Sequence, residues 1–185
     1  MRFLFCLLFC SFPVAATDTA AAWQAWRDGQ AVLILRHALA PGVGDPAGFV
    51  LDDCRSQRNL NQQGQQQAKA WGEKLRQLHD GSFRLYSSQW CRCLETAQLM
   101  AIAEVKPLPA LNSFFAGRGD AQAQTQALLQ YFSVNISPEP IILITHQVNF
   151  TELTGIFPQS AAGALVALPL TYPARVLAQV SLADL

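Results

Sequence analysis

The chain has 185 residues, and its 13 Lys and Arg balance 13 Asp and Glu, so the formal charge is zero. That balance argues against a nucleic-acid binder, which carries a basic excess or stripe, and 51% apolar with 14% charged residues argues against a disordered chain. A chain of this length makes one domain that can bury a core without metal or disulfide staples.

Residues 1–16, MRFLFCLLFCSFPVAA, place one positive charge, Arg2, ahead of an apolar run from Phe3 to Phe12. The run is short for a bilayer span, and Val14-Ala15-Ala16 suits cleavage after Ala16, so the segment reads as a signal peptide. The bulky Phe9 before Cys10 disfavours lipid attachment there. The mature domain is then 17–185, exported to the periplasm or the medium and not inserted in the membrane. Of the five cysteines, Cys54, Cys91 and Cys93 remain as disulfide candidates. Cys54 can pair with either of the others, whereas Cys91 and Cys93 lie too close in sequence for an easy bridge. No Cys/His cluster has zinc spacing, so no metal site is expected.

Beyond the leader, TAAAWQAWRD at 19–28 predicts a short helix ended by Gly29. The continuous apolar run AVLIL at 31–35 predicts a strand covered on both faces. A loop over 38–58 carries Pro41, Gly42, Gly44, Pro46 and Gly48. A helix over 61–79 buries the face formed by Ala68, Trp71, Leu75 and Leu78. Gly64 extends that face by one turn, where a neighbouring backbone can come close. The glutamines of 62–67 read as a solvated surface. FRLY at 83–86 is a strand, after which Ser87 and Ser88 are expected to cap a helix over 89–103. Pro107 and Pro109 break the chain, and 120–132 is a further helix. IILI at 141–144 is a second fully buried strand, and a short helix over 149–153 stops at Gly155. Strands over 164–168 and 175–182 flank Pro169 and Pro173. With no repeat and no linker, the alternation predicts one three-layer α/β/α sandwich on a largely parallel central sheet.

Two of the three histidines follow the two buried strands, in Leu35-Arg36-His37 and Ile144-Thr145-His146. Ligands in open α/β sheets sit outside such strand ends. The third, His79, ends a helix, where a cation-capable ring suits the dipole. A third strand end supplies Ser87 and Ser88 and, one turn into the next helix, Arg92. Arg36, His37, Arg92 and His146 together ask for a compact anion, and phosphate fits because guanidinium forks pair with its oxygens. A neutral imidazole can attack phosphorus and form a phosphohistidine, while the other three groups stabilise the oxygens during transfer. The cations are built in, so neither metal nor cofactor is called for.

These residues carry a resemblance. Leu35-Arg36-His37-Ala38, RNLNQQGQQQA at 58–68, YSSQWCRCLETA at 86–97 and Ile144-Thr145-His146 follow one another as in the histidine phosphatase superfamily, the branch of phosphoglycerate mutases and short phosphohistidine phosphatases. The resemblance implies a phosphoglycerate-mutase-like fold, with His37 as nucleophile and phosphate-pocket roles for Arg36, Arg92 and His146. It implies a small phosphorylated substrate. With export, that points to an envelope sugar phosphate. Ala38 stands where the family has Gly, Gln147 where it has a small residue, and Ser113 where many members place a catalytic Glu. Asp45 is the first substitute for the missing proton donor, ahead of Asp52, Asp53 and Asp120. Glu95, at i+3 from Arg92, reads as a partner that orients an arginine or anchors its helix. Loop 38–57 and residues 111–120 are expected to line the mouth, with Phe49, Trp90, Phe114 and Phe115 as an apolar wall. An exported phosphomonoesterase is the leading reading. A phosphate-binding module without turnover is the alternative, and a mutase is a weaker third.

Overall fold

A computed structural model describes residues 19–134 and 137–184. The expected signal peptide lies outside the described residues. The elements are α1 (Thr19–Arg27), β1 (Ala31–Arg36), α2 (Gln62–Leu78), β2 (Arg84–Ser87), α3 (Cys91–Met100), β3 (Val105–Pro107), α4 (Ala121–Val134), β4 (Ile141–Thr145), α5 (Gln147–Thr154), β5 (Gly163–Ala167) and β6 (Val176–Val180). Six strands form one sheet in the order β3-β2-β4-β1-β5-β6. The first four are mutually parallel; β5 runs antiparallel to β1, and β6 antiparallel to β5. The sheet is therefore largely parallel, as expected.

Alternate residues of each strand feed opposite faces. Leu33, Leu35, Ile142 and Ile144 pack with Trp26 of α1, Trp71 and Leu75 of α2 and Met100 of α3. Val32, Ile34, Ile141 and Leu143 pack with Phe132 of α4 and Phe150 of α5. Because both faces are covered, β1 and β4 are apolar at every position up to their last residue or two, which is why those runs show no polar alternation. Close approach of α2 is built on glycine: a Cβ on Gly64 would sit 2.2 Å from the Leu39 carbonyl oxygen.

Four expectations are corrected. Val105–Pro107 is a strand, not merely a break. Pro107 is tolerated because it ends a short edge strand, where the missing N–H costs no ladder bond. α3 begins at Cys91, two residues later than expected, and its N-cap is Trp90 with no side-chain cap bond. Ser87 donates to the Ser88 carbonyl, and the Ser88 hydroxyl accepts from Trp90 N, so neither serine is the cap. α5 starts earlier, directly after His146. The glutamines are not all idle: Gln67 Oε1 accepts from Leu39 N, and Gln65 donates to Glu95. That contact gives Glu95 the role of anchoring α3 to α2. His79 is the C-cap of α2, its ring edge-on to Phe83.

Candidate active site

β2, β4 and β1 are adjacent and parallel, so their C-terminal ends open on one side of the sheet. Arg36 is in register with Thr145, and His37 N donates to the Thr145 carbonyl at 2.9 Å. Ser88 N bonds the Ile144 carbonyl at 2.9 Å. The chain beyond His37 is pinned by Ala38 N donating to Thr96 Oγ1. Those ties bring the two imidazoles to 5.5 Å between ring centres, both buried, with buried Arg92 between them. Arg92 Nε donates to His37 Nε2 and Nη2 to His146 Nδ1, each at 3.2 Å. Arg36, His37, Arg92 and His146 line one cleft, as their chain positions led us to expect.

Donor chemistry settles the tautomers. A carbonyl only accepts, so His37 Nδ1, 2.8 Å from the Ala38 carbonyl, carries the proton and Nε2 keeps its lone pair. A guanidinium only donates, so His146 Nδ1 is unprotonated and its Nε2–H faces Ser88 Oγ at 2.8 Å. Ser88 then donates to Asn112 Oδ1. Burial, followed by the charge of Arg92, holds both imidazoles well below the ordinary histidine range. Both are neutral at neutral pH.

Asp45 is in the cleft, but its state is that of a fixed anion. Oδ1 accepts from Arg92 Nη1 at 2.7 Å and from Arg58 N at 3.2 Å, and Oδ2 accepts from Trp90 Nε1 at 3.1 Å. Burial would raise its pKa; the Arg92 charge and these donors outweigh burial and hold the carboxyl below its ordinary range. Asp52, Asp53 and Asp120 do not line the cleft. Asp53 caps a 3-10 turn, and Asp120 accepts from Ala123 N at the start of α4. Ser113 does line it, at the place expected for an acid, with its hydroxyl accepting from Phe115 N.

Sequence reasoning missed several wall residues. In the sequence Arg58 stands out only as the first residue of the RNLNQQGQQQA motif. It lines the cleft, donates to the Gly44 and Ala40 carbonyls, and is lowered to about 10 by burial and by Arg92. Val43 and Arg118, which also line it, fall within the 38–57 loop and the 111–120 stretch expected at the mouth, whereas Val148, in the first turn of α5, and Phe157, in the loop after it, carry no local mark. Of the expected apolar wall, Phe115 faces the cleft, whereas Phe49 stacks on Trp90 and Trp90 sits edge-on to His146. Phe114 is not among the lining residues.

Cys54 and Cys91 form a disulfide, and Cys93 is free and buried. Cys93 is thus removed from the disulfide candidates. Two residues apart on a helix point about 200° apart, so when Cys91 faces the 38–57 loop, Cys93 faces the core. Its Sγ lies 3.5 Å from His146 Nε2, and burial pushes the thiol up to about 12.

The histidine phosphatase superfamily (branch 1) model matches residues 32–133, so the chain belongs to that family. It is, in general terms, a phosphatase, a phosphoric monoester hydrolase. Solved structures share its fold at low identity. The protein histidine phosphatase SixA, complexed with tungstate, is 19% identical with a TM-score of 0.58, covering 83% of this chain and 98% of its own. A phosphoserine phosphatase from Entamoeba histolytica, in complex with 3-phosphoglyceric acid, is 16% identical with a TM-score of 0.57, covering 82% and 96%. A mycobacterial glucosyl-3-phosphoglycerate phosphatase with inorganic phosphate is 12% identical with a TM-score of 0.56, covering 83% and 98%. No curated protein sequence matches the chain.

Proposed function

We propose that the chain hydrolyses phosphomonoesters through a phosphohistidine on His37. The observation that carries this is the placement of the unprotonated His37 Nε2 in a buried cleft shared with Arg36, Arg92 and His146. On binding, the Arg92 donors now facing the imidazoles turn to phosphoryl oxygens, and Arg36, whose buried Nε lacks a partner, supplies further N–H groups. The Nε2 lone pair forms the N–P bond while the ester P–O bond breaks, its electron pair leaving on the departing oxygen. The His146 ring and the guanidiniums stabilise the equatorial oxygens. Water then attacks phosphorus, the N–P pair returns to Nε2, and the proton lost by water leaves with phosphate.

Asp45 fits a positioning role in this scheme: ionised and bonded to Arg92, it holds the guanidinium between the rings and has no proton to give at neutral pH. Export after cleavage near Ala16 is part of the proposal. The Cys54–Cys91 bridge supports it, since such bonds persist in oxidising compartments. The alternative, phosphate binding without turnover, is favoured by Ser113 standing where an acid is expected.

The test is the mature chain against its His37→Ala variant on a panel of phosphate esters. We expect His37-dependent turnover and a labelled phosphoenzyme on acid quench. Equal rates in the two proteins would overturn the mechanism, and phosphate binding with no turnover would favour the alternative.

A further inference from the structure

The wall of the cleft carries information about the leaving group. Among the described residues, six large apolar side chains are exposed: Val43, Val50, Phe115, Val134, Phe157 and Tyr172. Three of them, Val43 at 88%, Phe115 at 41% and Phe157 at 67%, line this one cleft, together with Val148. Single exposed apolar residues are ordinary. Three gathered at the mouth of a cationic pocket mark a surface that a ligand covers.

Outside the four phosphate-pocket groups and Asp45, the polar side chains that line the cleft are Arg58, Ser113, Arg118 and Gln147, and each already has a partner within the protein. Ser113 is buried and bonded to Phe115 N. Gln147 donates its amide to Thr151 Oγ1. Arg118 lies over the Phe49 ring at 4.4 Å. A polyhydroxylated leaving group would lose its water there and find little in exchange. A flat apolar one would gain from burial.

A separate observation bears on basicity. Among the described residues, Asp45 is the one acidic side chain lining the cleft, and its carboxylate is committed to Arg92, Arg58 and Trp90. The departing oxygen must therefore leave as an anion. A phenol, with pKa about 10, does so far more readily than an alkanol, whose oxyanion is closer in basicity to hydroxide, with water at about 15.7.

Building on the phosphatase reading above, we propose that the cleft selects aryl phosphates, in which phosphate esterifies a phenol, over phosphates of sugars and aliphatic alcohols. The phosphoryl group sits among Arg36, His37, Arg92 and His146, and the ring lies between Phe115, Phe157 and Val43. The P–O bond breaks with both electrons going to the phenolate, which takes its proton from solvent water. The phosphoryl group stays on His37 until a second water removes it.

The experiment compares kcat/KM for phenyl phosphate, a phosphotyrosine peptide, glycerol phosphate, glucose 6-phosphate, phosphohistidine and acetyl phosphate on the mature chain. Phenyl phosphate should exceed the glycerol and glucose esters by at least about 100-fold, the scale a proton donor would otherwise supply. Phe115→Ser and Phe157→Ser should each lower the phenyl-to-acetyl phosphate ratio about tenfold, the burial value of part of an aromatic ring. A peptide preferred over phenyl phosphate would place the aryl group on a protein, and the reverse would place it on a small molecule. Sugar or glycerol phosphates within tenfold of phenyl phosphate, or an unchanged ratio in both serine variants, would each overturn the inference while leaving the phosphatase reading intact. His37-independent or absent turnover on every ester would instead bring down the reading beneath it.

Discussion

Asp45 and Arg92 each leave only 4% of their side-chain surface to solvent, and the carboxylate is met on three sides by N–H donors. Such a pair does its work by placing the guanidinium, because removal of one partner strands a buried charge. Asp45→Asn keeps the size of the side chain and loses the charge. We expect kcat/KM to fall by up to about 100-fold, the scale of a small misplacement of a catalytic group. The loss should be equal across phenyl phosphates whose phenols differ in acidity. A loss that grows with the basicity of the leaving phenol would show instead that Asp45 delivers a proton. Ser88 and Asn112 complete the same circuit on the far side, fixing the His146 tautomer through its Nε2–H.

The loop between β1 and α2 belongs to the site as much as the strands do, because it carries Asp45 and Arg58. Cys54, on that loop, is bonded to Cys91 in the first turn of α3, one residue before Arg92, and closes a separation of 37 residues. A loop of that size is worth about 4 kcal/mol in the chain-entropy picture. The double variant Cys54→Ser, Cys91→Ser should therefore unfold at markedly lower denaturant concentration, by about 2–4 kcal/mol, and a reducing agent should affect the parent but not the variant. Equal stability of variant and parent would show that the bridge is not needed to hold this loop. On the other flank, α2 touches the segment just past His37. Gly→Ala in a free helix gains about 1 kcal/mol, but at Gly64 the methyl meets the Leu39 carbonyl, a backbone atom two residues from His37. Gly64→Ala should destabilise the fold by about 1–3 kcal/mol and lower turnover with it; a stabilised, fully active variant would refute that packing.

For the molecule as a whole, the two buried imidazoles couple folding to acidity. Each is held neutral in the fold, well below the value of 6.5 that it takes when unfolded. Below pH 6.5 the unfolded chain binds protons that the fold refuses, so this contribution to stability is complete above 6.5 and is lost as pH falls toward the folded values. With two such groups the slope reaches up to about 2.7 kcal/mol per pH unit. Denaturant midpoints measured at pH 7.5 and 5.5 should show a large drop at the lower pH, smaller in His146→Asn. A midpoint unchanged between the two would mean that the rings are protonated in the fold.

Much of this architecture was legible in local pattern. The runs at 31–35 and 141–144 are apolar without alternation because helices cover both faces, and that alone forecasts central parallel strands with Arg36, His37 and His146 at their ends. The face of α2 and the close approach at Gly64 follow from helical spacing. Other features had no local signature. β3 was hidden because its pairing with β2, not its own three residues, makes it a strand. The choice of Cys91 over Cys93, the capture of Asp45 by Arg92, and the gathering of Arg58, Val148 and Phe157 around one cleft all join residues far apart in the chain. Periodicity reports how a segment meets the core. Which charges neutralise one another, and which apolar side chains are left facing a ligand, depends on distances that exist only once the sheet has brought its strand ends and loops together.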